Sequence, residues 1–227
     1  MSAGRGRQNL LISALTVTAA GTDALSYLGL GHVFPANMTG NTVLLGLGAA
    51  TGDWPALSRS ATALGAYVLA AVALGAALPE NPRPRHVRAA LLAEVWLLLA
   101  AAVWWHLLTG RPDGAPRYAL IALAGTAMGM QSVIAARLRL PGVATTYITG
   151  TWTGLSMGIG ELLRRRGGGR PPDGQTARGL VVALYPAAAF ATATAYIAWH
   201  NVAALIPAMS VVLAWLICRG RLGRSAG

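Results

Sequence analysis

Several residue types are rare or missing in this chain of 227 residues, and each absence excludes a class of protein. Cys218 is the single cysteine, so an intramolecular disulfide and a multi-cysteine metal site are both excluded. Only seven residues are acidic, and the metalloprotease and nucleophile-elbow motifs are missing, so we predict no enzyme, no metal and no cofactor. Lysine is absent and all 18 basic residues are arginine. With the many alanines and glycines, this usage indicates a GC-rich, bacterial genome.

Apolar residues dominate the composition. Hydrophobic residues make up 55% and charged residues 11% of the chain, against roughly 25% charged residues in soluble domains. Six apolar segments are each close to the ~20 residues that a membrane-spanning helix needs. They cover residues 10–30, 60–78, 89–108, 118–136, 179–199 and 202–218. Because the loops are short, we predict one all-α integral membrane domain in the lipid bilayer.

The net charge of +11 does not indicate a nucleic-acid partner. Most of the arginines lie in loops beside the predicted spans, where the positive-inside rule expects them. We therefore predict a multi-pass protein of the bacterial plasma membrane that binds no nucleic acid.

One short phrase occurs twice in the chain. Residues 37–41 read Asn-Met-Thr-Gly-Asn and residues 147–151 read Tyr-Ile-Thr-Gly-Thr. Each phrase follows a span with a central polar side chain, Asp23 in the first copy and Gln131 in the second. A short apolar stretch, a polar break and two long apolar segments follow each phrase. A doubled half with polar breaks is typical of many transporters and some channels.

This doubling predicts two repeats, at about residues 10–108 and 118–218, with a cytoplasmic linker at 164–178. The short stretches, residues 41–50 and 151–163, are too short for straight spans. If they are re-entrant, fifteen arginines lie on the cytoplasmic side and three outside; if they span, the counts are thirteen and five. The re-entrant arrangement fits better by two arginines. It makes the halves inverted repeats of three spans each, with both termini cytoplasmic.

The two Thr-Gly pairs predict the starts of short helices at membrane depth. Threonine is a good N-cap, and glycine permits a sharp turn. Free N–H groups and the positive dipole end then favour an anion or a polar group. The alternative is that the polar groups only satisfy the broken helix ends. The candidate substrate-binding residues are Asp23, Asn37, Thr39, Gly40, Asn41, Gln131, Thr146, Tyr147, Thr149, Gly150 and Thr151.

Asp23 is the most informative single residue. It lies about 13 residues into the first span, hence ~20 Å deep at 1.5 Å per residue. An ionisable group at that depth is costly and indicates function by default. Asp23 is therefore a candidate proton or cation coupling site, or a polar substrate contact. The structural alternative is a carboxylate that caps one of the short helices.

Residues 21–24 and 34–42, read as Gly-x-Asp-Ala and Phe-x-x-Asn-Met-Thr-Gly-Asn-Thr, resemble the YoaK-like membrane proteins. Gly129-x-Gln131-Ser132 and residues 145–151 resemble that family's second motif. The resemblance extends over about residues 10–218. It implies a bacterial membrane protein of a family without an assigned function, and therefore supports the membrane architecture without naming a substrate.

Three functions are compatible with this pattern. The leading hypothesis is a transporter or facilitator of a small polar or anionic solute, with its site between the two Thr-Gly helices. A passive anion channel is the second, and Asp23 would be an unfavourable charge near its path. A non-transport assembly partner or sensor is the third. Glycines at small-xxx-small spacing predict close helix packing and indicate a homodimer only weakly.

Overall fold

The computed structural model describes residues 2–108, 111–138, 148–164 and 174–219, without the side chains of residues 2–5 and 201. Every regular element in these residues is a helix. Five helices have 24–28 residues, and the last helix, with 15 residues, joins the 3₁₀ turn before it in an apolar segment of 18 residues. We call these six the long helices and the other two, with 14 and 17 residues, the short helices. The helices are α1 (Ser2–Gly29), α2 (Met38–Thr51), α3 (Trp54–Ala77), α4 (Pro84–Leu107), α5 (Gly114–Arg137), α6 (Ile148–Arg164), α7 (Gln175–Trp199) and α8 (Leu205–Arg219), with a 3₁₀ turn at His200–Ala204 before α8.

The six long helices are long and apolar enough to cross a membrane, which confirms the predicted spans. The second span begins at Trp54, six residues earlier than we predicted. Gly52 ends α2 with a left-handed backbone at φ +71°. Asp53 then caps α3 by accepting the Ala56 N–H at 2.9 Å. The polar break therefore needs only these two residues.

The helices of the two halves pack in matching pairs. α1 packs against α7 and α8, and α5 packs in the same way against α3 and α4. The short helices α2 and α6 lie against α3 and α7 respectively. α1 and α5 are the most buried of the long helices, and α3 and α7 the least. Each half therefore inserts its first helix between helices of the other half.

Side-chain contacts define the two ends of the bundle. Arg7 at the start of α1 donates to the Ile217 carbonyl at the end of α8; we call this the N-terminal end. At the opposite, far end the Trp105 ring of α4 lies 6.1 Å from the Tyr196 ring of α7, and Gly29 of α1 packs beneath both. α1, α4 and α7 thus run from the N-terminal end to the far end.

The other three long helices run back. Ser58 at the start of α3 bonds Tyr118 at the start of α5 at 2.7 Å, while Arg137 at the end of α5 donates to Gly75 near the end of α3 at 3.1 Å. Arg59 of α3 reaches Gly31 at the far end. Equivalent helices of the two halves therefore run in opposite directions. The inverted repeat stays a prediction, and these directions are the ones it requires.

The short helix α2 enters and leaves at the far end. α1 ends at Gly29, and the loop at residues 30–37 turns back until the Ala36 N–H reaches Asp23. That is six residues, or about 9 Å, back along α1. α2 then runs outward to Gly52, where α3 begins at the far end. The re-entrant arrangement requires this path for α2, and re-entry itself stays a prediction.

α6 follows the corresponding path at the N-terminal end. Its first residue, Ile148, packs on Ile12, Ala177 and Val181 inside the bundle. Farther along, Gly158 contacts Gln175, the first residue of α7. α6 therefore begins at depth and ends where α7 starts. The rest of the predicted linker at 164–178, residues 165–173, lies outside the described residues, as does the stretch at 139–147.

Candidate functional site

Asp23 ties three segments together in the middle of the bundle. It is 6% exposed. One carboxylate oxygen accepts the backbone N–H of Ala36, just before α2, at 2.7 Å. The other accepts the Tyr185 hydroxyl of α7 at 2.8 Å. A carboxylate offers about four lone-pair sites, so both oxygens keep acceptor capacity for a further donor.

The loop before α2 reaches Asp23 through a sharp reversal at its start. Gly31 and His32 both have left-handed backbones, at φ +93° and +65°. Such angles cost a glycine little, and histidine adopts them more readily than most residues. The Gly31 carbonyl accepts from the Arg59 Nε at 3.0 Å, which fixes the reversal to α3.

Asn41 holds the inner part of the same loop. Its side chain is fully buried. The Asn41 Nδ2 donates to the Phe34 carbonyl at 2.8 Å, and its Oδ1 accepts the Phe34 N–H at 3.0 Å. Both ends of the amide thus pair with one residue of the backbone. Asn41 supports the candidate site by holding the loop in place.

The first residue of the repeated phrase, Asn37, is the N-cap of α2, and our expectation that Thr39 caps this helix was wrong. The Asn37 Oδ1 accepts the Gly40 N–H at 3.2 Å. Asparagine is at least as good a cap as threonine, and α2 can therefore begin at Met38. Thr39 becomes the second helical residue, and its side chain is exposed. A Cβ on Gly40 would lie 3.2 Å from Phe34 and Asn37, so the cap and this glycine fit closely.

Tyr185, which we did not predict as a site residue, completes the surroundings of Asp23. It precedes Pro186, a proline inside α7. Proline has no N–H, so the carbonyl one turn earlier, at residue 182, lacks its helical hydrogen bond. A tyrosine followed by proline inside a predicted span was the sequence signal that could have indicated this position.

A cavity of about 380 Å³ lies beside Asp23. Its walls come from α1, the loop before α2, the start of α6, and α7. Phe190, which is 75% exposed, belongs to its lining, so the cavity opens toward the outside of the bundle. Most lining side chains are apolar, and those with a polar group are Asp23, Tyr27, Asn37 and Tyr185. The structure therefore places the starts of both short helices at one cavity, with a carboxylate and a phenol in its wall.

The candidates of the second half are placed differently. Gln131 is fully buried, and its Nε2 donates to the Leu15 carbonyl of α1 at 3.0 Å. Thr149 and Gly150 lie in the first turn of α6 and are exposed, whereas Thr151 is buried. None of these four lines the cavity beside Asp23. Thr146 and Tyr147 lie outside the described residues.

Glu94 is a second buried acid. It lies fully inside the bundle on α4. Among the described residues, neither of its carboxylate oxygens has a hydrogen-bond partner. Burying a polar group without a hydrogen-bond partner costs free energy. Glu94 therefore destabilises the folded state, and the packing around it must offset that cost.

Metal binding finds no support in the described ranges. Within them, no group of three or more histidine, cysteine, aspartate or glutamate side chains could hold an ion.

A model of the family DUF1275, whose description is "protein of unknown function", matches residues 11–218. The chain belongs to the DUF1275 family. One relative of this chain is the UPF0700 transmembrane protein YoaK of Bacillus subtilis (strain 168), which is 37% identical over 153 residues. This stretch covers 65% of each of the two chains, so the match spans about two thirds of the relative's length. The resemblance to YoaK-like proteins is confirmed, and the chain is a multi-pass membrane protein of this family. No solved structure matches it.

Proposed function

We propose that this DUF1275 protein is a transporter or facilitator of a small polar solute, with its binding site in the cavity beside Asp23. The observation that carries the proposal is the meeting of both short helices at this cavity. Irregular backbone at membrane depth is tolerated where it is buried in protein or lines a wet cavity. Binding sites at the starts of interrupted helices are the general plan of many secondary transporters.

The cavity chemistry narrows the class of solute. About 380 Å³ is in the range of small-ligand sites. Asp23 places a carboxylate in the wall, and none of the described residues that line the cavity is an arginine or a histidine. A hydrogen-bond donor, neutral or cationic, fits this wall better than an anion does. The same charge counts against the passive anion channel.

Uptake into proteoliposomes tests the proposal. Purified protein is reconstituted and supplied in turn with labelled polyols, amides, amines and amino acids at two pH values. We expect saturable uptake of one class. Asp23→Asn should lower it at least tenfold, because the acceptor for the solute's donor is weakened, and Tyr185→Phe should lower it less.

Asp53→Asn is the matched control. It also removes one carboxylate, but asparagine keeps the N-cap of α3. Uptake should therefore stay at the level of the unmodified protein. If Asp23→Asn transports normally while remaining folded, Asp23 has no part in the mechanism. Flux that never saturates would indicate a channel instead.

A non-transport role, in assembly or sensing, is the second candidate. It is favoured by the hydrogen bonds that Asp23 and Asn41 accept from backbone N–H groups of the loop before α2. On this alternative the polar groups serve the fold alone, as they would in a structural membrane subunit. Absence of uptake for the whole panel, together with co-purification of a fixed partner, would favour it.

We also propose a plasma-membrane location with both termini in the cytoplasm. The arginines of the described helices support this orientation. The N-terminal end carries Arg7, Arg137 and Arg219, together with the arginines at the start of α4. The far end carries Arg59 and Arg117. The positive-inside rule then places the N-terminal end in the cytoplasm. A homodimer in the bilayer remains a prediction of the same proposal.

A further inference from the structure

A second cavity lies far from Asp23, at the N-terminal end between α4 and α8, and its volume is also about 380 Å³. It is lined by Arg85, Arg88, Ala89, Leu92, Trp215 and Arg219. Three guanidinium groups thus share one opening with an apolar floor. None of these six described residues is acidic.

The positive charge of this cavity is uncompensated within the described residues. None of its three arginines forms an ion pair there. The first turn of α4 has no acidic residue, and Arg83 at its N-cap makes no side-chain capping bond. The positive end of the α4 dipole adds to the same field. Charges gathered in this way favour an anion with several acceptor oxygens.

The floor of the cavity is shaped for an apolar group. Arg219 lies 5.3 Å from the centre of the Trp215 ring, so its charge and an aromatic face are side by side. Leu92 is 37% exposed, and Trp96, one turn farther into the span on the same face, is 66% exposed. An exposed apolar track therefore leads from the arginines toward the bilayer centre.

We propose that this cavity binds an anionic phospholipid, with its phosphate among Arg85, Arg88 and Arg219 and an acyl chain along Leu92 and Trp96. A phospholipid has a negatively charged phosphate followed by an apolar acyl chain. The cavity has its arginines first and its exposed apolar side chains deeper along the span, in the same order. Basic pockets between spans at a membrane surface bind such head groups in general. The site is independent of the solute site, because the two cavities share no lining residue.

Binding is measured on delipidated protein in neutral detergent. Native mass spectrometry counts retained lipids, and thermal unfolding reports stabilisation by a bound ligand. Phosphatidylglycerol should raise the midpoint and remain bound, whereas phosphatidylcholine should do neither. The variant Arg85→Gln/Arg88→Gln/Arg219→Gln should lose one bound phosphatidylglycerol and weaken its apparent affinity at least tenfold.

The matched control is Arg164→Gln/Arg165→Gln/Arg166→Gln, which removes three charges from the arginine run that begins at the last residue of α6. Its phosphatidylglycerol affinity should stay within twofold. Equal losses in both variants would overturn the site, because binding would then follow general charge. Equal binding of phosphatidylcholine, or full competition by inorganic phosphate at millimolar concentration, would also overturn it.

Folding is controlled separately. If the triple variant does not fold, the single variants Arg88→Gln and Arg219→Lys replace it. Each should weaken phosphatidylglycerol binding several-fold. Arg88→Gln removes one positive charge, and Arg219→Lys keeps the charge but loses the planar group beside Trp215. Unchanged binding in both single variants would contradict the proposal.

Discussion

At the residue scale, the polar groups inside this protein are held to different degrees. Asp23 and Asn41 have fixed partners, whereas Glu94 has none among the described residues. The position of Asp23 within the first span predicted an acid deep in the protein, which is rare. The structure confirms that its side chain is buried. The sequence could not name Tyr185 as a partner, since the two residues are 162 positions apart.

Asn41→Leu should destabilise the fold. Leucine leaves the partly buried Phe34 N–H without its partner, and an unpaired donor that is fully buried costs about 1–3 kcal/mol, which is the upper range for this site. Thermal unfolding in detergent should show a lowered midpoint. Thr42→Val is the control on the same helix, because its exposed bond to Met38 should matter by less than about 0.5 kcal/mol. Equal stability of the two variants would mean that Asn41 does not hold the loop.

Glu94→Leu should have the opposite effect. Replacing a buried polar group that lacks a partner by an apolar one removes a desolvation cost. We expect an unfolding midpoint at or above that of the unmodified protein. Glu94→Gln serves as the isosteric control and should change stability less. A large loss of stability in both variants would show that Glu94 has a partner or a required charge.

At the element scale, the fold depends on close approach between helices of different halves. Gly125 and Gly129 of α5 face the backbone of α3, where a Cβ on Gly125 would lie 2.9 Å from the Ala63 carbonyl. Their small-xxx-small spacing predicted close packing, and the structure confirms it. The sequence did not indicate which helix they would meet.

Gly129→Ala should therefore be destabilising. The added methyl group would meet the Tyr67 backbone, which cannot move aside as a flexible side chain would. Overpacking of this kind costs about 1–3 kcal/mol. Gly65→Ala is the matched control in α3, where the added group meets open space and alanine improves helix propensity by roughly 0.5–1 kcal/mol. Similar unfolding midpoints for the two variants would refute the close contact.

At the scale of the whole molecule, the path of α2 decides the topology. A re-entrant α2 places the loops on both of its sides at the same membrane face, whereas a spanning α2 separates them. We expect single cysteines at His32 and Thr51, in a Cys218→Ser background, to react with an impermeant maleimide from the same side. Both side chains are exposed. Labelling from opposite sides would reject the re-entrant path.

Orientation has its own test. A green fluorescent protein fused after Gly227 should fluoresce, and an alkaline phosphatase at the same point should be inactive, because both report a cytoplasmic C-terminus. The control is the same pair of fusions in the Asp113 loop, which should give the reverse result. A fluorescent fusion at Asp113 would invert the proposed topology.

The sequence alone determined the class of this protein, its six spans and its two short helices. Those features depend on local apolar length and on turn residues such as Gly52 and Asp53, which act on their own neighbours along the chain. The first copy of the doubled phrase likewise marked the start of α2, which Asn37 caps. Boundaries and cap positions shifted by a few residues, because capping side chains compete over one turn.

Only the tertiary structure decided which distant groups meet. The pairing of Asp23 with Tyr185, the separation of Gln131 from the cavity and the burial of Glu94 all depend on how α1 and α5 insert between helices of the other half. In a membrane every span is apolar, so hydrophobic pattern does not specify partners as it does in water. Close backbone contacts and buried polar groups specify them instead, and these form only when the bundle is assembled.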